Sequence, residues 1–392
     1  MWPELVANKI FKKKPVSNNF VFDCPSCDES LGSQDGTTVG LLAQSFQDTF
    51  KCKLFVSTWN VGGVVPPDDL NMDKLLETSN NNCDIYVLGF QEIVPLKAKN
   101  VLGSENTKIC RKWNGLIKRA LNKKIEEEDM PWTSFDCIMS KQMVGVFITV
   151  WVRSNIRHHI HHPSVSCVGC GIMGCLGNKG AVTVRFQLHE TSFCFVCSHL
   201  ASGGRPGDEK HRNSDVTEIL SRTTFPSALA HDLPQSILDH DRVIFLGDLN
   251  YRISLSDQRI RNMVDLEEWS ELLQNDQLRM ELVDGGAFEN WQEGPISFAP
   301  TYKYHPDSDV YYGRAAHGKK KDGKKRSPAW CDRIIWYGKG LKQEEYIRTE
   351  SKLSDHRPVK AIFTADVRVS FLSEQIKHQL KKCCMDDMYL MP

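Results

Sequence analysis

Asp248 and Asn250 stand two residues apart at the end of an apolar run. The stretch VIFLGDLNYRIS, residues 243–254, begins with four apolar residues, and Gly247 ends that run. On an extended segment, side chains two residues apart point the same way, so a carboxylate and an amide would face one place. Such a pair can deprotonate or orient a water and hold it beside a phosphate. The alternative is an Asx turn, in which Asp248 caps the segment that follows it.

Polar residues also mark the ends of several other predicted strands. They are Asn60 in KLFVSTWNV, Gln91 and Glu92 in DIYVLGFQEI, His199 in SFCFVCSHL and Asp332 in AWCDRIIWYG, and Asp355 and His356 stand just ahead of the last strand, in SDHRPVKAIFTADV. Any one of them can be an ordinary hydrogen-bonding residue. Together they are the residue types of metal binding and proton transfer, and rigid scaffolds present catalytic groups at strand ends. We therefore expect them to converge on one catalytic site.

The elements that must position these residues are short β-rich runs that alternate with helical stretches. Further strands are predicted in MVGVFITVWV, AVTVRFQL and RVIFLGDLN, and helices at Gly115–Glu128, Asp208–Ser221 and Asp265–Met280. The last helix has an approximate apolar stripe that is typical of a core face. Its members are Leu266, Trp269, Leu272, Leu273 and Leu278. Because no repeat or strong domain break is visible, we predict one domain over residues 51–370, between an irregular basic leader, 1–50, and a tail, 371–392.

Composition and charge are those of an ordinary globular protein, with 41% hydrophobic and 25% charged residues. The formal net charge is zero, so no global charge selects nucleic acid or a membrane, and steering must come from local patches. No secretory signal is visible, and the longest apolar run, Met143–Val152, is about half of a bilayer span. We therefore expect a cytoplasmic protein with reduced thiols.

Cysteine and histidine clusters raise the alternative of a zinc site. The 14 cysteines include two CxxC pairs, Cys24 with Cys27 and Cys167 with Cys170, and histidines stand at 158, 159, 161 and 162. The second pair lies in CVGCGIMGCLGNKG, an apolar, glycine-rich stretch that favours small buried or turn cysteines over zinc ligands. The histidines lack the i, i+4 partner with a carboxylate that a ligand set would show, which favours a solvated strand end.

The motifs occur in the order seen in a known enzyme family. Over residues 53–365 the chain resembles the inositol polyphosphate 5-phosphatases of the endonuclease/exonuclease/phosphatase superfamily, in STWNVGG, GFQEIVPL, GNKGAV, SHLASG, GDLNYRI, PTYKY, PAWCDRIIW and SDHRPV. CVGCGIMGCLGNKG and the WPELV start are most similar to plant members. The resemblance implies an α/β fold, the deoxyribonuclease-I-like four-layered sandwich of two mixed β-sheets flanked by helices. It also implies Mg²⁺-dependent removal of a 5-phosphate by in-line attack of an activated water.

The resemblance assigns a role to each polar strand end. Glu92 and Asn60 are its metal ligands, and Asp355 adds acidity near the metal. Asp248 activates the attacking water, and Asn250 holds that water and the transition state. His356 faces the phosphate from the opposite side with Asp332 as its partner, and His199 donates to a phosphoryl oxygen. The ligand chemistry agrees with this assignment. Mg²⁺ prefers hard oxygen donors and is held by only one or two carboxylates together with the substrate's phosphate.

Substrate contacts are implied in the same way. The family reads neighbouring ring phosphates with TYK and with a Lys-x-Arg just before PAW, and the matching residues here are Tyr302, Lys303, Lys324 and Arg326, with Lys179 of GNKG as a further contact. This implies a substrate with vicinal phosphates, such as phosphatidylinositol 4,5-bisphosphate or inositol 1,4,5-trisphosphate. The segment KKKDGKKRSPAW, residues 319–330, is the densest basic run of the chain, and its place before PAW favours polyanion contact over a solvated loop.

The tail is basic and amphipathic beside a cysteine pair. Its pattern consists of Leu372, Ile376 and Leu380, followed by Lys381, Lys382, Cys383 and Cys384. Peripheral membrane contact or acylation is one interpretation, and a terminal helix that packs on the domain is the more common one. The expected partners are inositol phosphates or phosphoinositide headgroups, with no nucleic acid, and the chain is expected to act as a monomer.

Two rival functions stay open at this point. A Mg²⁺-dependent nuclease of the same superfamily would use the same Asp/Asn and Asp/His pairs, but PAWCDR and the zero net charge speak against it, since a nuclease usually needs a basic surface. A non-enzymatic phosphoinositide-binding scaffold should have lost at least one of four residues. All four are present: Glu92, Asp248, Asn250 and His356.

Overall fold

The structure, a computed structural model, describes residues 47–78, 83–103, 107–128, 134–171, 174–226, 233–313 and 326–370. The leader through residue 46 with Cys24 and Cys27, the segment 314–325 with Lys324, and the tail lie outside the described residues. The strands are β1 (Gln47–Asn60), β2 (Ile85–Gln91), β3 (Phe135–Met143), β4 (Val146–Arg153), β5 (Ile160–Gly169), β6 (Gly180–Leu188), β7 (Thr191–His199), β8 (Arg242–Asp248), β9 (Asp332–Tyr337), β10 (Leu341–Arg348) and β11 (Val359–Ser370). The helices are α1 (Met72–Leu76), α2 (Ala98–Leu102), α3 (Thr107–Glu128), α4 (Ser154–Arg157), α5 (Glu209–Arg222), α6 (Asp257–Asp265), α7 (Trp269–Leu273) and α8 (Gln277–Val283).

The strands form two mixed sheets. Sheet A has the order β10-β11-β1-β2-β4-β3, and sheet B has the order β5-β6-β7-β8-β9. One pair in each sheet is parallel, β1 with β2 and β7 with β8, and the other pairs are antiparallel. Helix α3 packs on the outer face of sheet A through Trp113, and α5 packs on sheet B through Val216 and Ile219. The layers are therefore helix, sheet, sheet and helix.

The two sheets pack face to face through residues that alternate along each strand. On β1, Leu54 and Val56 belong to the core between the sheets, together with Leu246 of β8. Phe55 points to the opposite face and joins a second core with Trp113 of α3. Both faces of these strands are buried, which is why their sequences are near-continuous apolar runs.

The prediction of one helix over Asp265–Met280 is wrong. The chain forms short helices there because it turns at Glu267, which has a φ of +56°. A new helix, α8, then begins where the Asp276 carboxylate accepts the Arg279 backbone N–H at 3.0 Å. Leu266, predicted to lie in the core stripe, is 68% exposed as a result, while the other members of the stripe are buried or half-buried.

The predicted strands are present, with one change. The run MVGVFITVWV is not a single strand, because Val144 and Gly145 turn the chain between β3 and β4. Sequence reasoning missed β3, β5 and β10, whose half-exposed patterns lack a continuous apolar run. The helices predicted at Gly115–Glu128 and Asp208–Ser221 correspond to α3 and α5. Within the described ranges, no helix has the length and apolar character needed to cross a bilayer.

The ends of the strands bring the polar residues of sheet B to one edge. Strands β7 and β8 finish side by side, where His199 pairs with Asp248, and β9 begins next to them, where Asp332 pairs with Asp248. Gly247 permits this close approach, because a Cβ there would lie 2.0 Å from the Ser198 carbonyl oxygen and the φ is +153°. Sheet A likewise presents the ends of β1 and β2 beside the start of β11.

Candidate active site

Asp248, the last residue of β8, lies at the centre of the site and is 2% exposed. Its Oδ2 accepts a hydrogen bond from Asn60 Nδ2 at 2.8 Å and lies 3.2 Å from His199 Nε2. Asn60 ends β1 in sheet A, whereas His199 ends β7 in sheet B. The hydrogen bond from Asn60 is therefore a polar contact between the two sheets, whereas His199 reaches Asp248 from the same sheet.

Asn250 lies beside Asp248, but the segment between them is not extended. Asn250 has a φ of +59°, and its backbone N–H donates to Asp248 Oδ1 at 3.1 Å, which is the Asx-turn contact. Its Nδ2 donates to the Leu200 carbonyl at 3.1 Å, and its Oδ1 accepts from Arg252 at 2.6 Å. The segment from Asp248 to Asn250 is therefore a turn and not the predicted extended strand, and Asp248 both closes this turn and faces the site.

His356 faces Asp248 from the start of β11. Its Nδ1 lies 2.8 Å from Asp332 Oδ2, and its Nε2 lies 3.9 Å from Asp248 Oδ2. The Thr301 hydroxyl donates to the same Asp332 oxygen at 2.6 Å. The Tyr302 ring packs on the imidazole, with 4.6 Å between the ring centroids. The carboxylate and the tyrosine ring together fix the orientation of the imidazole, with Nε2 left to face the centre of the site.

The charges in this cluster stabilise one another. Burial alone would raise the pKa of Asp248, but the charge of His356 and the hydrogen bond from His199 hold that pKa far below its ordinary value. Burial opposes the charged form of His356 as well, yet Asp332 and Asp248 outweigh it and raise the pKa of His356 to about 9. Burial raises the pKa of Asp332, against the attraction of His356. At neutral pH an imidazolium thus stands between two carboxyl groups.

Glu92 follows β2 and borders the cluster on its open side. It is half-buried and has a φ of +53°, and its Oε1 lies 3.9 Å from His199 Nε2, its nearest ionic partner in the described chain. The Oδ1 atom of Asn60 accepts the Gly62 N–H at 3.0 Å and keeps a second lone pair. Asn60 pairs with Gln91, the residue before Glu92, and a carboxylate and an amide oxygen are donors that suit a hard divalent cation.

A second set of metal-capable atoms lies deeper in the same site. The ligand atoms of Asp248, Asp332 and His356 all lie within 4.8 Å of one another. One oxygen of Asp332 is already engaged by His356 and Thr301, while its Oδ1 is buried and has no hydrogen-bond partner among the described residues. His199 links this cluster to the Glu92 carboxylate, because its Nε2 lies 3.2 Å from Asp248 Oδ2 and 3.9 Å from Glu92 Oε1.

Three of the predicted substrate residues, Lys179, Tyr302 and Lys303, contact residues of this centre. Lys179, just before β6, contacts His199 Nε2, and burial lowers the pKa of its ammonium group to about 8. Lys303 forms an ion pair with Asp355, which also accepts from Ser354 at 3.2 Å. Burial would raise the pKa of Asp355, but the charges of His356 and Lys303 lower it. The predicted acid near the metal is thus paired with a predicted phosphate contact.

Arg252 and Thr301 are residues of the site that sequence reasoning missed. Arg252 holds the Asn250 amide through the 2.6 Å bond, and its guanidinium lies 4.5 Å from the centroid of the Tyr302 ring. Thr301 orients Asp332. Both lie in motifs that the sequence analysis names, GDLNYRI and PTYKY. Their closeness in sequence to Asn250 and Tyr302 could have identified them as residues of the site.

The other clusters of the sequence do not assemble into a ligand set among the described residues. Neither Cys167, Cys170 and Cys175 nor the histidines at 158–162 join a group of three close ligand atoms. The histidines lie at and just before the start of β5, half-buried or exposed. Their rings stack instead, with centroids 3.8 Å apart for His158 and His159 and 3.9 Å apart for His159 and His189.

Comparison with known proteins agrees with this geometry. Residues 57–362 match the model of the endonuclease/exonuclease/phosphatase family 2. The chain is 60% identical to a type IV inositol polyphosphate 5-phosphatase (number 9) of Arabidopsis thaliana, over 96% of the chain and 94% of the relative. The chain belongs to the inositol polyphosphate 5-phosphatases. A type I member of that family from the same plant (number 8) is 47% identical, over 86% of the chain and 74% of that relative. Members of this family are phosphoric monoester hydrolases, so the predicted class of enzyme is confirmed.

A solved structure of an inositol polyphosphate 5-phosphatase domain supports the fold. The inositol polyphosphate 5-phosphatase domain of SpSynaptojanin, in complex with inositol (1,4)-bisphosphate and calcium ion, is 30% identical, with a TM-score of 0.72. The match covers 88% of this chain and 94% of that domain. The predicted fold, two mixed sheets flanked by helices, is thereby confirmed.

Proposed function

We propose that the protein removes the 5-phosphate from inositides that carry a neighbouring 4-phosphate, in a Mg²⁺-dependent reaction. Phosphatidylinositol 4,5-bisphosphate and inositol 1,4,5-trisphosphate are the proposed substrates. The observation that carries the proposal is the position of Asp248, which Asn60 contacts from sheet A and His199 contacts from sheet B, with His356 facing it.

Asp248 would align the attacking water. Its depressed pKa keeps it anionic at physiological pH, so it accepts a hydrogen bond from the water, and the water's proton passes to this carboxylate as the bond to phosphorus forms. The Asn250 amide is fixed by Leu200 and Arg252. A fixed amide limits the directions the water can take, and such positioning is a major part of the barrier reduction in phosphoryl transfer.

His356, His199 and Lys179 would neutralise the phosphoryl oxygens. The pKa of His356 lies near 9, so Nε2 carries a proton at pH 7 and can donate to a phosphoryl oxygen. Lys179 contacts Nε2 of His199, and this nitrogen lies 3.2 Å from Asp248 Oδ2. Donors fixed before the reaction stabilise developing charge without reorganisation, and removal of one typically costs ~10²–10³ in rate.

Glu92 and Asn60 would hold the metal ion. The Glu92 carboxylate has no closer ionic partner than His199 among the described residues, and Asn60 Oδ1 retains a free lone pair. When bound, Mg²⁺ supplies charge neutralisation to the phosphate. Hard oxygen donors, of which only one is a charged carboxylate, match this ion's preference for few protein ligands and several waters.

The substrate's second phosphate would be read beside Tyr302. Lys303 follows Tyr302, and both Arg252 and Lys303 lie against its ring, with the charged groups 4.5 Å and 5.6 Å from the centroid. Arg326 is the first described residue after the basic segment and precedes the Pro-Ala-Trp motif. The structural relative with inositol (1,4)-bisphosphate supports a bisphosphate ligand for this fold.

The test is phosphate release from a panel of soluble and lipid inositides, scored by the position of the phosphate lost. Release of the 5-phosphate with Mg²⁺, and none after chelation with EDTA until Mg²⁺ is restored, is the expected result. Asp248→Ala serves as the inactive control. Loss of a phosphate other than the 5-phosphate, or equal rates with and without Mg²⁺, would contradict the proposal.

A further inference from the structure

Helix α5 directs two polar side chains at the segments on either side of Asn250. The Asp215 carboxylate accepts the Ala201 backbone N–H at 2.7 Å, and the Asn213 amide oxygen accepts the Tyr251 hydroxyl at 2.6 Å. Ala201 lies just beyond the end of β7, and Tyr251 directly follows Asn250 beyond the end of β8. The helix is thus tied to the chain beyond both of these strand ends.

One peptide group connects Asp215 to Asn250. The peptide bond between Leu200 and Ala201 donates its N–H to Asp215 at 2.7 Å, and its carbonyl oxygen accepts Asn250 Nδ2 at 3.1 Å. Because a peptide group is planar, a bond that fixes its N–H also fixes the direction of its carbonyl. An N–H that donates to a carboxylate polarises the group and strengthens the carbonyl as an acceptor. The bond to Asn250 therefore depends on Asp215.

The contact between β7 and β8 does not fix this peptide group by itself. The Leu200 N–H donates to the Asp248 carbonyl at 3.1 Å, but that N–H belongs to the preceding peptide group. The Leu200–Ala201 group can still rotate about the Leu200 Cα–C bond, because the backbone is soft there. Residues 200–204 form neither helix nor strand, so a side chain from another element has to hold the group.

Asp215 is a strong and rigidly mounted acceptor. It is 7% exposed, and burial raises its pKa to about 6, against the hydrogen bond from Ala201 and the charge of Lys179. At pH 7 the carboxylate is therefore mostly ionised, and hydrogen bonds to an ionised acceptor are about twice as strong as neutral ones. The helix that carries it packs on sheet B through Val216 and Ile219.

We propose that Asp215 is a positioning residue that orients the Asn250 amide through the Leu200–Ala201 peptide group. This inference rests on the proposed function, in which Asn250 holds the attacking water. Leu200 bonds Nδ2 of the amide and Arg252 bonds its Oδ1 at 2.6 Å, while Nδ2 keeps a second N–H for the water. Without Asp215 the peptide group rotates, the amide points in more directions, and the water is aligned in a smaller fraction of the complexes.

The experiment measures kcat and KM for phosphate release from inositol 1,4,5-trisphosphate at saturating Mg²⁺. Asp215→Ala is expected to lower kcat about 10- to 100-fold and to leave KM within about twofold of the wild type, because the lost bond aligns the water and does not bind the substrate. Asp215→Asn should keep kcat within about threefold of the wild type, since its amide oxygen still accepts the Ala201 N–H.

Glu218→Ala is the matched control. It removes a carboxylate from the same helix, one that accepts a hydrogen bond from Arg222 at 2.7 Å, so kcat and KM should stay as in the wild type. Urea midpoints show which variants are folded at the assay temperature. If Asp215→Ala does not fold, Asp215→Leu takes its place, since leucine fills a similar volume without an acceptor.

A double-mutant cycle separates positioning from a general loosening of the fold. Two substitutions that act through one group are not additive. In an Asn250→Ala background, Asp215→Ala should therefore lower kcat by less than about twofold, although it lowers kcat at least tenfold when Asn250 is present.

Three results would each overturn the inference and leave the proposed function standing. They are wild-type kcat in Asp215→Ala, an Asp215→Asn variant as slow as the alanine variant, and an equal cost of Asp215→Ala with and without the Asn250 side chain. Wild-type kcat in Asn250→Ala would overturn the role of Asn250 in the proposed function, and the inference with it.

Discussion

The side-chain amide of Asn60 donates to Oδ2 of Asp248 across 2.8 Å, although 188 residues separate them in the chain. This hydrogen bond joins the end of β1 in sheet A to the end of β8 in sheet B. It brings Asn60, a proposed metal ligand, into contact with Asp248, the residue proposed to align the water. The relative position of the two sheets is therefore part of the catalytic geometry.

Asn60→Ala is expected to lower kcat by about 10- to 100-fold, because an Asp248 carboxylate that is buried without this donor loses about 1–3 kcal/mol of stabilisation and its fixed orientation. Steady-state phosphate release at saturating Mg²⁺ measures the effect. Asn100→Ala is the control, since Asn100 lies in α2 and its side chain donates only to the Pro95 carbonyl. An Asn60 variant with wild-type kcat would show that the contact between the sheets is only structural.

Asp248→Asn is expected to reduce kcat by ~10³ or more, since an amide cannot accept the water's proton and would also meet the Asn60 amide donor at 2.8 Å. Substrate affinity should stay within a few-fold of the wild type, because the substrate-reading residues are untouched. Single-turnover rates and calorimetric titration with inositol 1,4,5-trisphosphate separate the two quantities. Near-normal turnover would refute the role assigned to Asp248.

The pKa of His356 predicts how stability depends on pH in the metal-free protein. Burial opposes the imidazolium, but Asp332 and Asp248 raise the pKa from 6.5 to about 9 in the folded state. The stabilisation is therefore complete below pH 6.5, declines between pH 6.5 and 9 and is absent above it. It amounts to about 3 kcal/mol at about 1.4 kcal/mol for each pKa unit.

Urea midpoints of wild type and His356→Asn between pH 6 and pH 10 measure this contribution. The difference between the two proteins should shrink as the pH rises through 9. The comparison is needed because burial lowers the pKa of Lys179 to about 8, which acts in the opposite direction in both proteins. Parallel profiles of the two proteins would contradict the raised pKa of His356.

Gly247→Ala is expected to destabilise the fold by about 3 kcal/mol or more, because its Cβ would meet a backbone oxygen and its φ suits glycine alone. The contact would be 2.0 Å, to the Ser198 carbonyl. Gly115→Ala is the control. It lies in α3 with nothing within 4 Å of its Cβ, so alanine should stabilise by about 0.5–1 kcal/mol. Guanidinium unfolding of both variants measures the difference, and equal stabilities would contradict the close approach of β7 and β8.

Local patterns in the sequence were sufficient for most of the described strands, although β3, β5 and β10 were missed. Apolar runs ending in a polar residue placed Asn60, His199 and Asp248 at strand ends, because a strand buried on both faces leaves its polar groups only at its termini. The same reasoning failed at Leu266, because the chain turns at Glu267 and does not continue as one helix. Amphipathic periodicity records which residues avoid water and does not record where a cap interrupts the helix.

The sequence by itself determined the family, the residue types and their order along the chain. Only the tertiary structure decided that Asp248 receives Asn60 from the other sheet, that Thr301 and Arg252 orient neighbours, and that Asp215 and Asn250 bond to one peptide group. It also decided that Asn250 sits in a left-handed turn and not on an extended strand. The physical reason is that hydrogen bonds between distant segments depend on how two sheets stack and where loops return, and spacing along a chain carries no measure of either.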